Sequence, residues 1–343
     1  MKRLLNTLYV TTEDAYLTKD GENVVVQKES TELARFPLHN LESIVCFTYS
    51  GASPSLMGYC ARNGINMCFF SPGGRFLART VGENNGNVFL RKKQYRVSED
   101  ETESCRIARN MILGKVYNSR WSVERTIRDH SLRVNVGLLK SASEHMYKSL
   151  PLIAATDSLA QLRGLEGEAA AAYFGVFDEM ILNNKDAFYY KGRSRRPPMD
   201  NMNALLSFTY ALLTNDCAAA LEGAGLDSYV GFLHRDRPGR ASLALDLVEE
   251  LRPVMADRFV LTVVNTQVVK PEDFILRENG GVLLTDDSRR RILSAWQERK
   301  KEVIMHPYLK EKVPWGLVPH VQALLLARHL RGDLEAYAPF FWK

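Results

Sequence analysis

The sequence has few cysteines and places them where they cannot cooperate. Cys46, Cys60, Cys68, Cys105 and Cys217 are odd in number, and no two form a CxxC pair. That pattern excludes a zinc ribbon and offers no disulfide framework, so a reducing, cytoplasmic compartment is expected. Long hydrophobic runs are missing too. No stretch approaches the ~18 consecutive apolar residues of a membrane span. The opening MKRLLNTLYVTTEDAY meets acids at Glu13 and Asp14 too soon for a signal peptide. Internal repeats and low-complexity tracts are absent. Nor does one charge dominate: 45 Lys and Arg against 40 Asp and Glu leave a net charge of +5. That balance permits nucleic-acid binding without demanding it.

What is present is ordinary for a soluble globular protein, with 45% hydrophobic and 25% charged residues. At 343 residues the chain can build two domains, or one large one, each with a full core.

Residues 1 to about 90 read as β-rich. LYVTT and AYLT are short β-prone runs, and AYLT continues through Lys19-Asp20-Gly21 into NVVVQ as a hairpin. Ile44 to Phe47 predicts a strand, Ser55 to Asn63 a short helix stopped by Gly64, and INMCFF another strand. Gly73-Gly74 turns into RFLART, and GENNGN (Gly82 to Asn87) marks a boundary.

Beyond about residue 97 the period becomes helical, beginning with ESCRIARNMILGKVYNSRWSVERTIRD. Leu162, Leu165, Ala169, Ala172 and Val176 follow the 3, 4, 3, 4 spacing of a buried stripe. Further helices are predicted over 201–221, 242–266, 287–303 and 315–330, with Asp157-Ser158 and Asp287-Ser288 as N-cap signals. The expected class is α+β: a small N-terminal β-rich domain (1–88) followed by a larger all-α C-terminal domain (89–343).

Within the second part, GFLHRDRPGRASLALDLVEELRP (Gly231 to Pro253) sets acids into an apolar helical run. Asp246, Glu249 and Glu250 stand at i, i+3 and i+4 and share one face. Burying that face costs several kcal/mol per uncompensated charge, so something positive is expected there, and a divalent cation meets the need. A solvated surface face is the ordinary alternative. In QLRGLEGEAAAAYF, Glu166 flanks the apolar stripe while Glu168 faces solvent. The ordinary role for Glu166 is a cap or a salt bridge with an arginine such as Arg163. Glu166, His234 and one or two of Asp246 and Glu249 would together form a mixed oxygen and nitrogen site, suited to Mg²⁺ or Mn²⁺ rather than structural zinc.

Basic residues complete the pattern. FYYKGRSRRPP (Phe188 to Pro198) carries Lys191, Arg193, Arg195 and Arg196 behind three aromatic rings, and Arg235, Arg237 and Arg240 share the loop of His234. Arginines interleaved with aromatics suit phosphate contact and stacking, although a solvated charged loop is an equal reading of either segment alone. Cations beside candidate metal ligands point to metal-dependent chemistry on a phosphodiester, with His234 as ligand or as general acid or base.

GLEG at Gly164 to Gly167, NALLSFTYALL from Asn203 to Leu213, and GFLH…GRASLALDLVEELRP resemble the CRISPR-associated integrase of spacer acquisition, the Cas1 family. GNVFLRKKQY (Gly86 to Tyr95) at the junction resembles it as well, and the whole looks most like the type I-C branch. The resemblance implies a homodimer assembled through the β-rich domains. It also implies a metal-dependent nuclease and integrase that joins protospacer DNA to the CRISPR repeat with a Cas2 partner. By position it places the catalytic and metal-binding residues at Glu166, His234 and Glu249, with Asp246 in a supporting role. Arg193, Arg195, Arg196, Arg235, Arg237 and Arg240 are the expected DNA-binding set. No membrane association is expected. The competing reading is a catalytically silent DNA-binding scaffold whose acids serve structural networks.

Overall fold

A computed structural model of the protein describes residues 6–72, 76–82 and 88–343. The Gly73-Gly74 turn and, apart from Gly82, the GENNGN segment fall outside the described residues.

The N-terminal part holds two sheets. Strand β1 (Thr7–Val10) is followed by an antiparallel meander of β2 (Tyr16–Asp20), β3 (Asn23–Lys28) and β4 (Thr31–Pro37). Gly21, at φ +56°, supplies the left-handed turn residue that the β2–β3 hairpin requires. Then come β5 (Ser43–Cys46), helix α1 (Pro54–Arg62), β6 (Asn66–Phe70) and β7 (Phe76–Arg79). The second sheet has the order β1-β5-β6-β7, parallel except for β6 against β7.

Its central strands explain their own composition. Ile44, Cys46, Met67 and Phe69 pack with the meander and α1, whereas Val45, Phe47, Cys68 and Phe70 join the helical core. Alternate residues point to opposite faces, so a sheet covered on both sides reads as unbroken apolar sequence. This sheet is therefore the seam between the two halves.

The helices follow: α2 (Val88–Glu99), α3 (Glu101–His130), α4 (Val136–Ala155), α5 (Leu159–Gly175) and α6 (Asn201–Gly223). Asp100 caps α3 by accepting from the Thr102 and Glu103 amides, and Ser158 caps α5 as its position predicts. Helix α3 is the spine, packed by α4, α5 and α7 (Ser242–Leu251). After α7 the backbone widens into a π-helical segment, Arg252–Asp257, before α8 (Arg258–Asn265). Pro253 cannot donate to the helical ladder, which accounts for the wider turn.

The C-terminal part is not wholly helical. Two hairpins interrupt it, β8 (Phe274–Leu276) with β9 (Val282–Leu284), and β10 (Val303–Met305) with β11 (Lys312–Pro314). These strands are three residues long, below the length at which alternation stands out. Helix α9 (Asp286–Lys301) is capped by Thr285 rather than by Asp287, and Val303 leaves it for β10. Helix α10 (Val318–Arg331) precedes a tail whose Tyr337 and Phe340 are buried.

Helix α6 corrects the expectation about apolar length: its 23 residues meet the length and composition of a membrane span. In the fold, 67% of its most apolar window is buried against protein. The five cysteines are all buried and free.

Candidate active site

Three elements converge on one cavity of about 510 Å³: Glu166 from α5, Glu249 from α7 and His234 from the loop before α7 all line it. A larger cavity of about 750 Å³ lies between α2 and the end of α10 with the residues that follow it, and its lining includes Glu103, His329, Asp333 and Glu335.

The three acids of α7 share a helix but not a partner. Asp246, fully buried, accepts from the backbone amides of Phe232 (2.6 Å), Leu233 (2.9 Å) and His234 (3.0 Å). It also lies 2.6 Å from His234 Nδ1. An ionised carboxylate can only accept, so Nδ1 donates to it, and in the neutral ring the lone pair then lies on Nε2. Asp246 thus shapes the loop and orients the imidazole, the usual task of a carboxylate behind a functional histidine. Gly231 is obligatory for this approach, since a Cβ there would stand 2.8 Å from Asp246 Oδ2.

Glu250 turns the other way and accepts from Gln322 Nε2 (3.0 Å), the Tyr337 hydroxyl and the Phe340 amide (3.1 Å), anchoring the tail. Burial pushes its carboxyl up to about 7 against the pull of those donors. Gly114 lets α3 approach at this point: a Cβ there would meet Glu250 Cβ at 3.0 Å.

Glu249 faces the cavity and is 6% exposed. The Lys115 ammonium of α3 lies 2.6 Å from Glu249 Oε2 and also pairs with Glu166. Arg252 donates to Glu249 Oε1 at 2.6 Å. Burial alone would raise the Glu249 carboxyl, but Arg252 and Lys115 outweigh it and hold it at about 2. The positive charge that buried Glu249 demands is therefore supplied by the protein itself. The expectation that something positive answers these acids is met at Glu249 by Lys115 and Arg252. Among the described residues no group of three or more His, Cys, Asp or Glu side chains is already arranged to hold a metal ion.

Arg163, the expected partner of Glu166, instead donates to the Leu233 carbonyl at 2.7 Å. It braces the histidine loop, and Lys115 takes the glutamate. Lys115 and Arg252 are the members that sequence reasoning missed. Arg252 follows Glu249 by three residues, a spacing that reads as an ordinary helix pair. Lys115 carried a stronger signal: a lysine among Ile112, Gly114, Val116 and Ser119, all buried, requires an acid opposite.

A groove of about 620 Å³ shares Glu166 and Arg240 with the cavity, and its lining includes Lys115, Arg79, Arg193, Arg195, Arg196 and Arg252. The expected cations divide here into two kinds. Arg195 and Arg196 are exposed, as are Arg235 and Arg237. Arg193 instead donates to Asn203 Oδ1 (2.7 Å), Ser207 Oγ (3.0 Å) and the Ser194 carbonyl (2.6 Å). It is a structural tie to α6 as much as a free cation. Arg240 is likewise engaged, by Ser242 and the Arg235 carbonyl. Behind the groove the Tyr210 ring lies between Arg193 (5.3 Å) and Arg252 (5.0 Å), and its hydroxyl donates to buried Asp257. Burial pushes Asp257 up to about 6, against the pull of the Tyr210 hydroxyl and Arg252.

Two carboxylates and an oriented imidazole, opening beside a row of guanidiniums, form a site suited to phosphate-bearing substrates. The chain belongs to the Cas1 family: residues 8–298 match the model described as CRISPR associated protein Cas1. It is 51% identical to a protein of Rhodospirillum rubrum named CRISPR-associated endonuclease Cas1 2, over 100% of both chains. Among solved structures it resembles a casposase bound to integration product (TM-score 0.84, 21% identity, 98% of this chain and 94% of that one). It also resembles a chain of a Cas6-RT-Cas1–Cas2 complex (TM-score 0.81, 22% identity), covering 98% of this chain and 36% of that one. At these identities the structural likenesses establish the fold, and the family rests on sequence.

Proposed function

We propose that this chain is a metal-dependent DNA endonuclease and integrase that joins protospacer DNA into a CRISPR repeat by transesterification. The observation that carries the reading is the convergence of Glu166 and Glu249, from separate helices, on one cation in a cavity that His234 also lines.

The residues fit a hard dication in charge and chemistry. Two carboxylates and one imidazole nitrogen are suitable donors, and buried Glu249 Oε2, although ion-paired, has no hydrogen bond. A bound Mg²⁺ or Mn²⁺, held by Glu166, Glu249 and His234, would supply Lewis-acid polarisation of the phosphodiester and favour the attacking oxygen as an alkoxide. His234 Nε2, its ring held by Asp246, is the alternative acceptor for the proton of an attacking 3′-hydroxyl. Exposed Arg195 and Arg196 hold backbone phosphates and leave base choice to other contacts. Positioning both DNA partners replaces a bimolecular encounter and contributes much of the acceleration.

The wider reading follows the family. The R. rubrum relative is named an endonuclease, the casposase is bound to an integration product, and another structural neighbour contains Cas2. We extend these to a Cas2 partner, a homodimer through the β-rich domain (1–88) with the helical domain (89–343) carrying the site, a cytoplasmic location and the type I-C branch.

The test is a strand-transfer assay on branched DNA with Mg²⁺, Mn²⁺ or chelator. Transfer by the wild type with metal, lost with chelator and in Glu166→Ala and His234→Ala while DNA binding persists, is expected. Integration retained in either variant would refute the roles. A second reading, a silent DNA-binding scaffold, draws on the neutralisation of Glu249 by Lys115 and Arg252. It predicts DNA binding with no transfer under any metal.

A further inference from the structure

Away from the active site, the second half of α3 carries Trp121, Arg125 and Arg128 at i, i+4 and i+7, hence on one face. Arg258 begins α8, and Trp342 and Lys343 come from the tail. These side chains line a cleft of about 230 Å³. The Trp342 ring holds two guanidiniums, with Arg125 5.0 Å and Arg258 4.9 Å from its centroid. Lys343 lies 4.5 Å over the Trp121 ring.

The cleft has more cations than acids to meet them. Glu124, its one acidic lining residue, is engaged by Arg120 (3.4 Å) and the Ser143 hydroxyl. Asp129 is taken by Arg128 at 2.7 Å. Among the described residues neither Arg125 nor Arg258 has a carboxylate within ion-pairing distance, and Trp121 Nε1 is buried without an acceptor. Burial, then the like charge of Arg128, disfavours the Arg125 cation against a smaller opposing pull from Asp129. Guanidiniums gathered with fewer counter-ions than charges repel one another unless a further anion joins them. Arginines planted on aromatic rings are preorganised to grip phosphate.

We infer that this cleft is a second nucleic-acid contact, in which Arg125, Arg258 and Arg128 bind backbone phosphates of a strand outside the catalytic cavity. The inference rests on the reading that the chain handles DNA, and it adds a specific anchoring point. The shared chemistry is the phosphodiester, so single-stranded and duplex DNA are separate arms of the test.

The experiment is fluorescence anisotropy of the full chain with a labelled 20-nucleotide strand and the matching duplex, in chelator, across a salt series. Arg125→Gln/Arg258→Gln should weaken at least one arm about tenfold and lower its salt slope by about 1.4 to 1.8, since each phosphate contact contributes ~0.7 to 0.9. Arg125→Lys/Arg258→Lys keeps the charge and should restore the slope, which a packing defect around Trp342 would not allow. Arg128→Ala, at a side chain 67% exposed, tests the cleft without disturbing the core and should lower the slope by about half as much as the double change. Wild-type binding with unchanged slopes in Arg125→Gln/Arg258→Gln and Arg128→Ala would overturn the cleft and leave the active-site reading standing. Absence of wild-type binding to either DNA would overturn both.

Discussion

Lys115 Nζ stands 2.6 Å from Glu249 Oε2 and simultaneously pairs with Glu166, so one ammonium joins α3, α5 and α7 beside the candidate active site. The lysine is 7% exposed, and its charge is committed to these two acids. Any other cation bound between the carboxylates must displace it. Lys115 is accordingly both a structural counter-ion and a competitor for the proposed metal.

Lys115→Met leaves buried Glu249 facing the partly exposed Glu166 with only Arg252 to compensate. The metal-free variant should lose about 3 kcal/mol of stability, the scale for removing one partner of a buried pair. Millimolar Mg²⁺ or Mn²⁺ should recover most of that loss and tighten in apparent affinity relative to the wild type. Thermal melting with and without metal reads both effects, and a melting temperature insensitive to metal would refute the competition.

Asp246→Asn removes charge from the acceptor of three backbone amides and of His234 Nδ1. Loss of the oriented imidazole should lower strand transfer 10- to 100-fold, the range for groups that hold a functional histidine. The histidine loop should also loosen, measurable as faster amide exchange at Phe232 and Leu233. Activity within twofold of wild type would remove Asp246 from the site.

The basic loop should separate into two behaviours. Arg195→Gln/Arg196→Gln should reduce the salt slope of DNA binding by about 1 to 2 at unchanged melting temperature. Arg193→Gln should instead destabilise by about 2 kcal/mol, because it breaks charged hydrogen bonds to α6. Urea unfolding beside the salt series distinguishes them. Equal effects of all three residues on slope would show that Arg193 is also a phosphate contact.

Asp257 introduces a pH dependence of known sign. Its carboxyl is raised from 3.8 to about 6 in the fold, so between those values the folded state binds more protons than the unfolded. Its stabilising contribution is full below about pH 4 and lost as pH rises through about 6. The wild type should lose on the order of 2 kcal/mol from this group across that window. Asp257→Asn should lack that component in urea titrations at pH 4.5 and 7; an identical pH trend would reject the assignment.

Helical period and strand alternation made the architecture legible where segments were long or strongly patterned. The continuous helical run from Ser242 to Asn265 and the β2–β3 hairpin lie where their sequences place them. The short hairpins in the second half were not legible, because three residues carry no measurable period. Glu166, His234 and Glu249 stood out as residue types in an unusual setting, and the fold brings them to one cavity.

Local sequence sufficed to show that buried acids on α7 needed compensation, since burial follows from apolar neighbours and charge cannot be buried unpaired. Which charge answers which acid was decided only by packing. Asp246, Glu249 and Glu250 are adjacent on one helix, yet their directions diverge enough to reach a loop, a lysine 134 positions away and the tail. Side-chain direction is set by the period of the helix, but the identity of the partner depends on which distant segment lies opposite. For Glu249 that segment is the middle of α3, whose lysine meets the buried charge with an ion pair inside the protein.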